Sequence, residues 1–306
     1  MVSLLALVLV VAVGAAVFTS IAQSHMVLHR PGHPPLLARF LVGACLLIVG
    51  ASATRWIEQH NRLHHPYLNR DGFDPDLDFQ PVLRLHAGQP WRRWHRYQAW
   101  YCWLLYPLTL FGMTLGSFRI VISGATRDGR VFDRSKRRRV LLNIVFGPPV
   151  MITACVFFLG LGRGLLDWVG VYLVAGTLLG MTFQINHCSL LPGETPEARL
   201  EPGLNHHDRL LRGTLDVRPS SAALAIFTGS LSRHSAHHLN PARNQAWIAQ
   251  KTVSLGATDP AYRHAPSVSA GVRAHFRYMR MLGVPPDIAP AAAIPVSPDL
   301  AAVALL

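Results

Sequence analysis

The sequence predicts an all-α integral membrane protein whose cytosolic helical cap carries a histidine-rich metal site. Three observations predict it. Half of the 306 residues are hydrophobic and only 15% are charged, with a positive mean hydropathy, a balance foreign to a soluble globule. Several apolar runs are long enough to cross a bilayer. Nine of the sixteen histidines form four tight groups, His25/His29, His60/His64/His65, His187 and His234/His237/His238, just beyond those runs or on the basic stretches between them. Neutral imidazole is the commonest protein ligand for iron, zinc and copper. Such groups repeated along one membrane chain point to a multinuclear site at the membrane face.

Residues 2–22 are uncharged and long enough to span at about 1.5 Å per residue. A cleaved leader ending near Ser20-Ile21-Ala22 is the rival reading, but no Lys or Arg precedes the run. The apolar run within 36–54 is short for a crossing. The run within 97–118 is long enough, with Pro107 near its middle. Residues 140–162 and 168–185 are two further candidate spans.

Charge selects among the topologies. Residues 23–139 carry seventeen Lys and Arg against seven Asp and Glu, including Arg134, Lys136, Arg137, Arg138 and Arg139, so the positive-inside rule places them in the cytoplasm. If both middle runs crossed, His60, His64 and His65 would face the side opposite the other groups. If only the longer crossed, the Arg-rich run would lie outside. Three spans (2–22, 140–162, 168–185) satisfy both demands, with 36–54 and 97–118 lying in the interface or entering and returning. The N-terminus is then external. Residues 188–283 form the cap of a single domain spanning 1–283, and the Pro- and Ala-rich residues 284–306 read as a mobile tail.

The net charge of +13 is nearly all arginine. These residues adjoin apolar spans, where they would meet anionic membrane lipids, so the charge does not call for nucleic acid. Cys45, Cys102, Cys155 and Cys188 form no CxxC pair, which argues against a disulfide framework. Cys188 reads as a small buried residue.

His25 and His29 are an i,i+4 pair that shares one face if the first helix continues. His60 and His64 share a face on an α-helix, while His65 is turned by about 100° and would serve a neighbouring ion. His234, His237 and His238 repeat the idea at i, i+3, i+4. Adjacent histidines aimed apart are what a dinuclear centre needs. His187 stands where the last span ends. Asp71, Asp74, Asp76 and Asp78 follow the second group and read equally as carboxylates orienting metal-bound imidazole or as a solvated acidic loop. His206 and His207 read as surface residues, His33, His86, His264 and His275 as ordinary ones, and His95 is ambiguous.

These residues resemble the membrane fatty acid desaturases, in particular the linoleoyl-CoA and front-end group. The stretch from Trp56 through His60-Asn61-Arg62-Leu63-His64-His65 to Asp74-Pro75-Asp76 is similar to that family's second histidine box and following loop. Phe227 to Pro241, with His234-Ser-Ala-His237-His238, is similar to the third box, and Thr182-Phe-Gln-Ile-Asn-His187 to the motif closing the last span. His25 and His29 stand where the first box would be. Met26, Ala236 and Asn240 replace residues more common there, and the chain begins at what corresponds to the family's second helix.

The resemblance implies that His25, His29, His60, His64, His65, His187, His234, His237 and His238 ligate two iron ions, with Asp74, Asp76 and Asn61 around them. It implies O2 as co-substrate and a fatty acyl substrate carried on CoA, a carrier protein or a lipid, reached through surrounding membrane lipid. These residues hold no His-Pro-Gly-Gly haem motif, so an external electron donor such as ferredoxin or cytochrome b5 is implied. The same site could hydroxylate a chain or form a triple bond, and a non-catalytic, degenerate relative is the remaining alternative.

Overall fold

The computed structural model describes residues 4–29, 36–126, 129–196, 203–218 and 221–286; His33 and most of the expected tail lie outside these. The described chain is all-α apart from one short parallel strand pair, β1 (Asp216–Val217) with β2 (His264–Ala265), and an isolated bridge between Ala125 and Val131.

The uncharged N-terminal run forms α1 (Leu4–Leu28). It outlasts its apolar stretch by a turn, and that extra turn carries His25 toward the interior. The short second run gives α2 (Leu36–Ile48). α3 (Ala53–Trp56), capped by Ser52, runs directly into a π-helix over Ile57–His64. A loop follows, then α4 (Gln98–Leu105), a 3-10 turn at Tyr106–Leu108 holding Pro107, and α5 (Thr109–Ser123). α6 (Arg134–Leu159) opens on an Asp133 cap and α7 (Leu161–His187) follows it after Gly160 alone. Gly160 has φ +80°, a backbone setting that only glycine adopts readily. The turn is therefore tighter than the sequence suggested, and both helices are longer.

Among the described residues, four segments are long and apolar enough to cross a membrane by length and composition: Leu4–Leu28, Arg93–Ser123, Arg134–Leu159 and Leu161–His187. α1 and α6 both pack along α7, and α2 fills the angle between α1 and α6. α1, α2, α5 and α7 share a core in which Phe18, Ile21 and Ala22 of α1 pack against Leu46, Leu110 and Leu179. Large apolar side chains such as Leu4, Phe157 and Phe158 point outward, more than three-quarters exposed, as lipid-facing side chains do.

The C-terminal part is built from α8 (His206–Gly213), α9 (Ala222–Phe227), α10 (His234–Leu239), α11 (Gln245–Thr258) and α12 (Val268–Leu282). α12 packs on α4 and on the loop before it, burying Leu83, Leu85, Cys102, Leu190 and Met279 together. That core ties the cap to the end of α7, where the histidines gather.

Candidate metal centre

Four separate elements deliver nine imidazoles to one place. The last turn of α1 brings His25, with His29 just beyond it; the π-helix brings His60 and His64, with His65 at its end; the last residue of α7 is His187; α10 brings His234, His237 and His238. Gly229 lets the segment before α10 reach α1: its φ is +56° and a Cβ there would lie 2.3 Å from the Ala22 carbonyl oxygen.

The imidazoles form two sets. His25, His29, His60, His65 and His237 make one, and His64, His187, His234 and His238 the other, with one ligand atom of each member within 4.8 Å of those of its set. This modifies the helical expectation for the second group: His60 still lies beside His64 and Asp76, but His65 joins its set. His65 N donates to the His60 carbonyl at 3.0 Å, five residues back. With i to i+5 bonding, His60 and His65 fall in one set and His64 turns to the other. On α10 the ordinary spacing holds, and the i,i+4 pair His234 and His238 shares a set.

The geometry fits a pair of cations. Nε2 of His60 lies 2.9 Å from Nε2 of His25 and 3.2 Å from that of His65. Nε2 of His234 lies 2.7 Å from Nε2 of His187 and 3.0 Å from that of His238. A neutral ring has one N–H, so nitrogens crowded tip to tip cannot all be satisfied by one another. His29 Nε2, His64 Nε2 and both nitrogens of His237 are buried with no hydrogen-bond partner. Two imidazole–metal bonds of about 2.1 Å meeting at a right angle hold their nitrogens about 3 Å apart. An all-imidazole donor set without thiolate suits iron, zinc, copper or nickel.

Electrostatics keeps most of these rings in the ligating form. Burial, then the neighbouring imidazoles, holds His60, His65, His234, His237 and His238 well below the usual histidine range. His64 differs. Burial opposes its protonation too, but Asp74 and Asp76 outweigh that and raise it to about 9. Asp74 reaches His64 Nδ1 at 2.9 Å and accepts from the backbone N–H groups of Asn69 and Asp76. Asp76 lies 3.3 Å from the same nitrogen. The carboxylates thus hold a proton on Nδ1 and aim the unpartnered Nε2 into the second set. Asn61 instead donates to the Leu28 carbonyl at 3.1 Å, fastening the π-helix to the end of α1.

Other contributors were not singled out from the sequence. Trp56 stacks on His60 with ring centroids 4.3 Å apart. Buried Glu58 binds Arg62, Arg130 and Lys136 at 2.8–3.2 Å, clamping the π-helix to the start of α6. Asp216 accepts from Ser235 N, Ser235 Oγ and the Tyr262 hydroxyl and so fixes the start of α10. Spacing could have flagged Trp56, four residues before His60, but Asp216 and Ser235 meet only through the fold.

Three described histidines outside the two sets bond to other partners. His95 is buried and donates to the Pro81 carbonyl. His275 is buried, donating from Nδ1 to the Cys188 carbonyl at 2.6 Å and accepting at Nε2 from the Tyr106 hydroxyl at 2.5 Å. His207 pairs with Asp259 at the surface. Cys188 is buried.

A cavity of about 590 Å³ opens from the centre. His60, His64 and His187 reach its wall, Leu105, Met113 and Phe183 supply apolar lining, and one face of α5 forms its floor.

A family model described as fatty acid desaturase matches residues 2–267. The chain is 28% identical over 262 residues to an acyl-lipid (8-3)-desaturase of Physcomitrium patens, covering 80% of this chain and 53% of that protein. It is 28% identical over 267 residues to an acyl-lipid (8-3)-desaturase of Mortierella alpina, covering 83% and 59%. Delta(5) fatty acid desaturase A of Dictyostelium discoideum is 28% identical over 276 residues, covering 83% and 58%. The chain spans between half and three-fifths of the length of these relatives.

Proposed function

The chain belongs to the fatty acid desaturase family, and from that premise we propose that it is a membrane-bound, O2-dependent fatty acyl desaturase using two iron ions. His25, His29, His60, His65 and His237 would hold one, and His64, His187, His234 and His238 the other. When bound, the iron pair would supply the reduction of O2 to two waters, using two protons from solvent, two electrons from an external donor such as ferredoxin or cytochrome b5, and one hydrogen removed from each of two neighbouring methylenes. No side chain can do this by acid–base chemistry, because a methylene C–H is not acidic. The protein's part is placement. Asp74 and Asp76 hold the tautomer of His64, Asp216 and Glu58 set the two helical segments that carry six of the histidines, and the apolar cavity keeps the chain beside them.

The observation that carries this reading is the convergence of the two imidazole sets at the wall of an apolar cavity. It is tested by expressing the chain in a host of known lipid composition and profiling the fatty acids. A new double bond that vanishes with His64→Ala supports the reading. A product gaining oxygen identifies a hydroxylase, and a metal-free protein with no product identifies a non-catalytic relative.

We read the membrane domain as three spans within α1, α6 and α7, with the centre on the cytoplasmic face beside the basic start of α6. The α6–α7 hairpin supports this. A Cβ on Gly164 would touch the Cys155 backbone, whereas Gly180 meets Tyr106 and Thr109, and Val140 packs with Ile120. Gly180 and Val140 lie at similar heights above the Gly164–Cys155 contact, roughly 22–24 Å. Both ends of α5 therefore sit near one level, as in a helix that lies along the interface without crossing. Cysteines placed at Arg96 and Ser123 should label from the same side; labelling from opposite sides would establish a fourth crossing.

A further inference from the structure

Gln184 lines the cavity from α7, one turn before His187. It is 8% exposed, and its Oε1 is buried with no hydrogen-bond partner. Other polar side chains of the same lining are engaged with the protein. Asn69 donates to the Gly213 carbonyl at 2.8 Å, Thr109 Oγ1 to the Tyr106 carbonyl at 2.7 Å and Ser117 Oγ to the Met113 carbonyl at 3.0 Å, while Gln59 accepts from Arg55 Nε at 2.7 Å. An unpaired buried amide is unfavourable, so a group that enters the cavity and pairs with Gln184 gains affinity there. A saturated hydrocarbon chain offers no such group along its length. An acyl chain offers one, the carbonyl at C1.

Resting on the desaturase reading, we propose that Gln184 is a substrate-positioning residue that donates its side-chain N–H to the carbonyl of an acyl ester or thioester. The unpartnered atom Oε1 is an acceptor; a half-turn about χ3 exchanges the two ends of the amide and puts the N–H2 donor in that unpartnered position. Residues three apart on a helix have Cβ atoms about 5–6 Å apart, so a carbonyl held by Gln184 lies near His187. The methylenes presented to the histidines then belong to the carboxyl-proximal part of the chain, and Gln184 sets the register from which the double bond is counted.

The test separates the carbonyl from the chain. Binding of stearoyl-CoA is compared with that of S-octadecyl-CoA, which lacks the carbonyl, and binding of diacyl phosphatidylglycerol with that of its dialkyl ether, using the full-length protein in detergent. The two pairs distinguish a thioester carrier from a lipid ester. For the carrier the site accepts, the wild type is expected to prefer the carbonyl-bearing member by about fivefold, and Gln184→Met to bind both alike. The wild type is further expected to place its double bond at one carboxyl-proximal position, and Gln184→Met to scatter it over neighbouring carbons at unchanged iron content.

A wild type with no preference in either pair, or a Gln184→Met that retains the preference, overturns the proposal. If Gln184→Met does not fold, Gln184→Glu serves, since a carboxylate of nearly the same size cannot donate and should also lose the preference. A wild type that forms no double bond defeats the desaturase reading, while the binding ratios still decide the role of Gln184.

Discussion

His60 and His65, five residues apart, bring their Nε2 atoms within 3.2 Å of each other, while His64, the immediate neighbour of His65, belongs to the opposite imidazole set. One peptide link thus joins the two halves of the centre, and the π-helical turn makes this possible. π-turns are rare and concentrate at functional sites. Here the turn is held from outside by Glu58 with its three cationic partners and from inside by Asn61 on α1.

The two sets should be separable by mutation. His65→Ala removes a ligand of the first set and His234→Ala one of the second, so each is expected to lose one iron of the pair preferentially and both to abolish desaturation. Elemental analysis with Mössbauer spectroscopy of the purified variants reads this. Identical loss of both irons in each variant would show that the sets bind only as a unit.

Asp74→Asn is nearly isosteric, but its side chain can no longer serve as an anionic acceptor for His64 Nδ1. Loss of such a carboxylate partner typically lowers metal affinity by about 10–100-fold. We expect iron to be stripped by correspondingly weaker chelator, with the helical content by circular dichroism unchanged. Wild-type chelator resistance would reduce Asp74 to a loop-structuring residue that holds Asn69 and Asp76.

Much of this architecture was legible because membrane helices and histidine spacing are written locally. The uncharged first run became α1, and all nine histidines singled out in the sequence converge. What the sequence hid depends on backbone choice and on distant contacts. Nothing in Ile57–His64 distinguishes i+5 from i+4 bonding, so α-helical spacing paired His60 with His64, beside which it does lie, and missed His65 as its partner in the first set. Asp216 supports Ser235 from nineteen residues away, and Gln184 gains meaning only once its neighbours in the cavity wall are seen to be paired. Asn61 lies in the histidine motif, yet its partner is the backbone of α1.

Gly147 marks a tight helix crossing. A Cβ on it would lie 1.7 Å from the Leu47 carbonyl oxygen of α2, a backbone atom that cannot swing aside. Small residues at such crossings let membrane helices approach closely. Gly147→Ala is expected to destabilise the protein by about 1–3 kcal/mol, in the range of overpacking, seen as a lower melting temperature in detergent. Gly112→Ala on α5, where a Cβ meets nothing within 4 Å, is the matched control and should leave the melting temperature near that of the wild type.

His275 gives the fold a pH dependence of defined sign. Burial holds this ring down at about 4, against roughly 6.5 in an unfolded chain. Between those values the unfolded chain takes up a proton that the folded chain refuses, so stability is complete above about pH 6.5 and falls as pH drops toward 4. At about 1.4 kcal/mol per pH unit the full loss is on the order of 3 kcal/mol. The contacts suit the neutral ring, in which Nε2 accepts from Tyr106 while Nδ1 donates to the Cys188 carbonyl; a proton on Nε2 would make the Tyr106 hydroxyl turn and give up that donation. Cys188 follows His187, so loosening this bridge also loosens one ligand of the second set. Melting temperatures of the wild type and His275→Gln, taken at pH 7 and pH 5, isolate the effect from the metal-site histidines, which both proteins share. The drop from pH 7 to pH 5 should be larger in the wild type. An equal drop in both would mean that the acid sensitivity arises elsewhere in the chain.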